Sequence, residues 1–209
     1  MEANINQCIF QTSKKLKISP KEIIDIIVTQ KMNRKIRLSF LAFTDGACKH
    51  NPGPGGWGIT YMHRIKDVKI YWSDNGGKKH TTNSEMELTA MKKLLDFVPK
   101  GHDYLIHVDS HYVLHSIIKG NDGSVALKNN IPYFSGWMGN WIKNNWKTKA
   151  GERAYKKEWQ DIIKNIDIHL KAGSTLNFKW VKSHQKGYTD DIIGNNYADE
   201  LANQGIPII

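Results

Sequence analysis

The chain predicts an α/β fold: a mixed five-stranded sheet, three antiparallel strands followed by two parallel ones, flanked by helices. Three observations point there. Residues 36–73 fall into strand-sized apolar or alternating blocks separated by turn-forming glycine, proline and asparagine. From residue 85 onward, stretches of helical period alternate with short apolar runs, the order that parallel strands require. A length of 209 residues has room for one well-cored domain and a small appendage.

Residues 1–36 read as that appendage and 37–209 as the domain. Ser19-Pro20-Lys21-Glu22 has the form of a capping box with proline at the first helical position. Ile23, Ile24, Ile26, Ile27 and Val28 follow, then the basic Lys31, Arg34, Lys35 and Arg37. The pattern predicts a short helix whose isoleucine stripe must be buried, which favours packing on the main domain over contact with nucleic acid.

The first strand of the domain runs through Leu38, Phe40, Leu41, Ala42 and Phe43 and closes at Asp45. Asn51-Pro52-Gly53-Pro54-Gly55-Gly56 can neither extend a strand nor start a helix, so it predicts a reversal into a second strand over 57–62. A third strand is expected at 69–73. Thr81-Thr82-Asn83-Ser84 offers several N-caps for a helix over 85–98. A buried strand at 104–109 and a helix at 111–119 come next. Residues 120–135, containing glycine, asparagine and proline, are expected to form a loop. Helices are expected at 137–145 and 155–170, a last strand at 175–182, and a closing helix at 195–204 ended by Gly205.

Composition narrows the function classes. Thirty basic against twenty acidic residues give a net charge of +10, which suits a polyanionic partner. Two cysteines, Cys8 and Cys48, make neither a disulfide framework nor a zinc motif, so an intracellular, reducing compartment is expected, cytoplasm or nucleus being left open. No apolar run has transmembrane length and no secretory leader is expected, so no membrane role is assigned.

Four carboxylates stand in costly places. Asp45 and Asp109 each end an apolar strand, where open α/β sheets bind ligands. Glu87 lies in the first turn of its helix in line with Ala90, Met91 and Leu94, so it faces the sheet. Asp199 lies among Ala198, Leu201 and Ala202 on the closing helix. One inward carboxylate is usually structural. Four that could converge are better explained by bound hard cations such as Mg²⁺.

The ordered set of motifs resembles type 1 ribonuclease H. It comprises Thr44-Asp45-Gly46 with the Asn51–Gly56 block, Thr82-Asn83-Ser84-Glu85-Met86-Glu87-Leu88, and Val108-Asp109-Ser110-His111-Tyr112-Val113. Trp180-Val181-Lys182-Ser183-His184 and Asn195-Asn196-Tyr197-Ala198-Asp199-Glu200-Leu201-Ala202 complete it. The match covers about residues 38–205, in order. The resemblance implies a ribonuclease H-like fold and Mg²⁺-dependent endonucleolytic hydrolysis of the RNA strand of RNA–DNA hybrids, leaving 5′-phosphate and 3′-hydroxyl ends. It implies that Asp45, Glu87, Asp109 and Asp199 hold two Mg²⁺ ions, for which Mn²⁺ could substitute. It also implies that His184 assists protonation of the leaving group or product release. No obligate protein partner is expected, and the protein is expected to be a monomer.

Recognition residues follow from the same resemblance. Sparing DNA requires sensing a 2′-hydroxyl, which donates and accepts, and the amides of Asn51 and Asn83 can do both, supported by Ser84 and His111. Tyr112, Trp137 and Trp141 match the channel for the DNA strand, within a basic, tryptophan-bearing protrusion that continues to Arg153 and Lys157. Thr82, with His80 and Lys156, matches the place where the family grips a DNA phosphate, although His80 and Lys156 depart from its commoner residues there. Two further departures are an insert near 121–136 and a longer loop between His184 and Asp199. The readings weighed against a hybrid nuclease are an inactive hybrid-binding module and an integrase-like DNA nuclease on a related fold.

Overall fold

The computed structural model describes residues 37–65 and 68–208. The expected helix and basic run of the appendage lie outside them, apart from Arg37. Nine strands and five helices are described in this order: β1 (Ser39–Cys48), β2 (Gly53–Ile65), β3 (Val68–Thr81), α1 (Asn83–Phe97), β4 (Asp103–Val108), α2 (His111–Ile117), β5 (Asp122–Lys128), β6 (Ile131–Tyr133), α3 (Met138–Lys143), β7 (Lys147–Thr148), β8 (Gly151–Glu152), α4 (Lys156–Lys171), β9 (Thr175–Trp180) and α5 (Asp190–Gln204).

The main sheet has the order β3-β2-β1-β4-β9-β5-β6. Strands β1, β2 and β3 form an antiparallel meander, while β4 runs parallel to β1 and β9 parallel to β4. This is the predicted five-stranded core with longer antiparallel strands than expected: β1 runs three residues past Asp45, β2 already begins at Gly53 inside the block expected only to turn, and β3 continues to Thr81, because each finds a ladder partner in its neighbour. Two strands are added to it, because residues 120–135 are not a loop: β5 pairs antiparallel with the free edge of β9, and β6 pairs with β5. The hairpin escapes a sequence reading because it buries so little, with Val125 the one buried residue of β5. What stabilises it is the row of unpaired backbone groups on β9, which edge pairing satisfies. The protrusion also differs from expectation, since α3 is only six residues long and β7–β8 form a separate two-stranded hairpin after it.

Two layers of helix enclose the sheet. Met86, Leu88, Met91 and Leu94 of α1 and Trp159 and Ile162 of α4 are buried in one core with Phe40, Ala42 and Ile106 from the sheet. Helix α5 lies on the opposite face, so close that a Cβ on Gly194 would stand 2.3 Å from the Phe43 ring. It also begins earlier than expected. Thr189 caps it by accepting from the Ile192 amide, and Asp190 and Asp191 occupy its first turn, where carboxylates favour the helix dipole. Asp190 is held by Arg64 at 2.8 Å and by Lys69, and Asp191 by Lys179 at 2.6 Å. The extra residues after His184 thus lengthen the helix more than the loop. Among the described residues no helix is long and apolar enough to cross a membrane.

Candidate active site

The carboxylates meet at one end of the sheet because three elements finish or start there. β1 delivers Asp45, and its parallel neighbour β4 stops at Val108, one residue short of Asp109. Helix α1 starts beside them, capped by the Thr82 hydroxyl, which accepts from the Glu85 amide at 3.2 Å. Gly46 permits the approach: a Cβ there would stand 2.3 Å from the Glu87 backbone nitrogen. Asp45, Glu87 and Asp109 each offer an oxygen within 4.8 Å of the others. Asp199 reaches Asp45 from α5, across the rim. His184 comes from the preceding loop, with Nδ1 3.6 Å from the Asp199 carboxylate, so the longer segment does not carry it away from the site.

So many acids in a dry place repel one another. Asp45, 5% exposed, has its carboxyl pushed up to about 8 by burial first, then by the charge of Asp109 and by the Asp199 carboxyl. The Gly46 amide, donating to Asp45 Oδ1 at 2.8 Å, opposes that only in part. Glu87 is raised well above the carboxylate range by burial and by the charges of Asp45 and Asp109. Asp109 is also raised, chiefly by burial, with the Asn195 amide pulling the other way. The Glu87 Oε2 atom is buried with no hydrogen-bond partner among the described residues. An orphaned buried carboxylate oxygen beside two further acids is costly in a metal-free protein and suits a hard divalent cation, which would neutralise the repulsion and fill the open ligand positions.

Of the residues expected to read the substrate, two are joined directly. Asn51 Oδ1 accepts from the Asn83 amide at 3.2 Å, joining the β1–β2 turn to the start of α1, with Ser84 next in that helix. His111, exposed at the start of α2, stacks on Trp180 with ring centroids 4.9 Å apart. The Trp180 indole in turn donates to the Asp109 carbonyl at 3.2 Å. Tyr112 is half-buried, and its hydroxyl accepts from the Trp159 indole at 3.0 Å. Trp137 is 46% exposed, whereas Trp141 is partly buried between Trp146 and Trp159, with the Arg153 guanidinium 4.1 Å above its ring. His80 is exposed at the end of β3, and Lys156 is paired with Glu152 at 2.6 Å.

Two residues without an assigned role stand out. Asn195 is buried, with neither amide atom hydrogen-bonded among the described residues, and it faces Asp109 from α5. Its spacing from Asp199, i to i+4, places both on one helix face, a signal available in the sequence. Tyr155 holds the Thr82 hydroxyl at 2.6 Å from a left-handed backbone (φ 57°) at the start of α4. No sequence signal foretold that contact, which joins residues 73 apart.

A family model described as RNase H matches residues 38–207. The chain belongs to the ribonuclease H family. A curated ribonuclease H of Francisella tularensis subsp. novicida is 36% identical over 180 residues, covering 86% of this chain and 95% of that protein. One from Pseudomonas fluorescens is 34% identical over 165 residues, covering 78% and 89%. Among solved structures, LC9-RNase H1, described as a type 1 RNase H with the type 2 active-site motif, superposes with a TM-score of 0.63 at 17% identity, covering 82% of this chain and 73% of that one. That likeness concerns the fold: this chain has the ribonuclease H-like sheet and helices, widened by the β5–β6 hairpin. Its enzyme class is ribonuclease H, a hydrolase and nuclease, with an acidic cluster of the kind such metal-dependent enzymes use.

Proposed function

We propose that this ribonuclease H cuts the RNA strand of RNA–DNA hybrids with two Mg²⁺ ions, leaving 5′-phosphate and 3′-hydroxyl ends. The observation that carries the reading is the convergence of Asp45, Glu87 and Asp109 within 4.8 Å, joined by Asp199 and His184. Those four carboxylates would hold the ions, which when bound lower the pKa of an attacking water and stabilise the leaving 3′-oxygen. The protein's own groups do the rest. Asp199 faces Nδ1 of His184 and orients the ring, leaving Nε2 to carry a proton to the departing oxygen. Asn195, facing Asp109 from α5 with its amide otherwise unpaired, would steady that carboxylate.

Selection of RNA falls to the Asn51–Asn83 pair. With Asn51 Oδ1 engaged by the Asn83 amide, the Asn51 amide NH₂ and the Asn83 side chain remain to meet 2′-hydroxyls in the minor groove. On the other strand, Trp137 would lie against DNA sugars, and the Thr82 hydroxyl, steadied by Tyr155, would donate to a phosphate with His80 and Lys156 nearby. The test is cleavage of a hybrid labelled on either strand, in Mg²⁺ and in EDTA, with duplex DNA as control and the product ends identified. RNA-strand cleavage confined to Mg²⁺ is expected. Binding without cleavage in Mg²⁺, or cutting of duplex DNA, would overturn the proposal.

A further inference from the structure

At the end of the sheet opposite the carboxylates, the face that carries α5 is not fully covered. Leu41 of β1 is in register with Met62 of β2 and with Leu105 of β4, so all three side chains lie on that face. They floor a cavity of about 260 Å³, walled by Arg64 and Asp190 on one side and Asp103 on the other. Leu41 and Leu105 are only half-buried, although they lie in adjacent central strands of the sheet. Among the described residues nothing fills the cavity, and α5 stops at its edge, where Asp190 is tied to Arg64 and Lys69.

The described chain enters at this cavity. Arg37 Nη2 pairs with Asp103 Oδ1 at 2.5 Å on its rim, and Ser39 begins β1 beside it. The preceding sequence holds a capping box at Ser19–Glu22 and the isoleucine-rich stretch Ile23–Val28. Within that stretch Ile23, Ile24, Ile27 and Val28 recur at helical spacing, with Glu22, Asp25 and Thr29 between and around them. Residues 31–36 can span at most about 20 Å when extended, enough to bring the segment before them across the floor of the cavity from the rim where Arg37 is pinned.

We propose that this half-open sheet face is the docking site for the protein's own segment 20–30, whose isoleucine stripe seats on Leu41, Met62 and Leu105. The segment is then a cover for the core and not an arm for the hybrid, because it binds at the starts of β1 and β4, while Asp45 lies towards the far end of β1 and Asp109 just past the end of β4. Leu41 and Asp45 are four strand residues apart, about 13 Å.

The full-length chain, with Cys8→Ser and Cys48→Ser, tests this through paired cysteines. Under mild oxidation I27C with L105C should form an intrachain disulfide at least about tenfold faster than D25C with L105C, whose first cysteine sits on the polar side of the stripe. Equal rates would mean an unanchored segment, and disulfides only between chains would mean a second copy as the occupant; either overturns the proposal. Separately, I24D with I27D should speed backbone hydrogen exchange in residues 39–41 and 103–105 while the KM for hybrid stays within about twofold. Unchanged exchange together with weakened hybrid binding would identify a nucleic-acid arm and overturn the proposal.

Discussion

The carboxylate cluster and the protrusion at residues 137–155 are built in opposite ways. The cluster rests on a ten-residue strand and two fifteen-residue helices, packed closely enough that Gly46 and Gly194 admit no side chain. The protrusion has a six-residue helix, two strands of two residues, and positive φ at Asn145, Trp146 and Tyr155. Isolated backbone hydrogen bonds, such as that from the Trp146 amide to the Trp141 carbonyl at 2.7 Å, join its turns, and aromatic and cation contacts around Trp141 fill in between them. The difference follows from what each must do. Mutually repelling acids would relax apart on anything soft, so their spacing has to be imposed by the core. The nucleic-acid contact proposed for the protrusion needs reach and flat apolar area, and a few stacked rings would provide both.

Asp109→Asn should break the comparison at its strongest point. Turnover of hybrid is expected to fall roughly a hundredfold or more, with binding within about twofold, because a proposed metal ligand loses its charge while the proposed recognition residues are untouched. A gel assay for cleavage beside a filter-binding titration reads both. Gly46→Ala tests the packing that imposes the spacing. Its methyl would have to displace the start of α1, costing about 1–3 kcal/mol of stability and, by moving Glu87, about a hundredfold in single-turnover rate. A variant as active and as stable as the parent would show that the close approach is not what sets the geometry.

Trp137→Ala probes the softer region. The expected result is a KM higher by about tenfold, the roughly 1.4 kcal/mol that losing its apolar contact with the DNA sugars would cost, with kcat unchanged. A fall in kcat alone would place this ring in the chemistry instead.

The repulsion itself should be visible in stability against pH. A carboxyl raised in the folded state, as Asp45 is to about 8, stabilises below the unfolded carboxylate pKa, and that contribution is lost as pH rises through the folded value. Glu87 and Asp109 shift in the same direction. The buried His107 and His169 are lowered by desolvation, so they act oppositely and below the ordinary histidine range. From about pH 6.5 to 8, therefore, the metal-free protein should lose a few degrees of Tm, roughly 2–4 °C. Mg²⁺ should restore it and Asp45→Asn should flatten the slope; a slope that persists in that variant and ignores Mg²⁺ would point to other groups. The smallest effect is expected at the hairpin tip. Ile131, 67% exposed on β6, should accept lysine with less than about 0.5 kcal/mol change in urea denaturation and no change in cleavage.

Most of the site was legible in the chain because it is written locally. A carboxylate that follows an apolar strand run, or shares a helix face with leucine and methionine, is visible within a few residues, as Asp45, Asp109 and Glu87 are, although β1 does not stop at Asp45 but continues to Cys48. The Asn51–Asn83 contact was not legible, since it joins residues 32 apart and Thr82, not Asn83, caps the helix. The β5–β6 hairpin was not legible, since Asp122–Lys128 carries one buried side chain and pairs because β9 offers an edge. Nor was the early start of α5, which depends on Arg64, Lys69 and Lys179 arriving from distant strands to neutralise its first turn.

By itself, then, the sequence determined which side chains are acidic, apolar or turn-forming, and so the order of the five core strands and the identity of the acids. Only the tertiary structure decided that Asp45 lies against Glu87 and Asp109, that Asn195 backs Asp109, that Tyr155 holds Thr82, and that Trp141 turns inward while Trp137 stays exposed. Local preference acts over a turn or a strand. Proximity between residues dozens of positions apart comes from the packing of whole elements, and so do the burial and repulsion that raise these carboxyls.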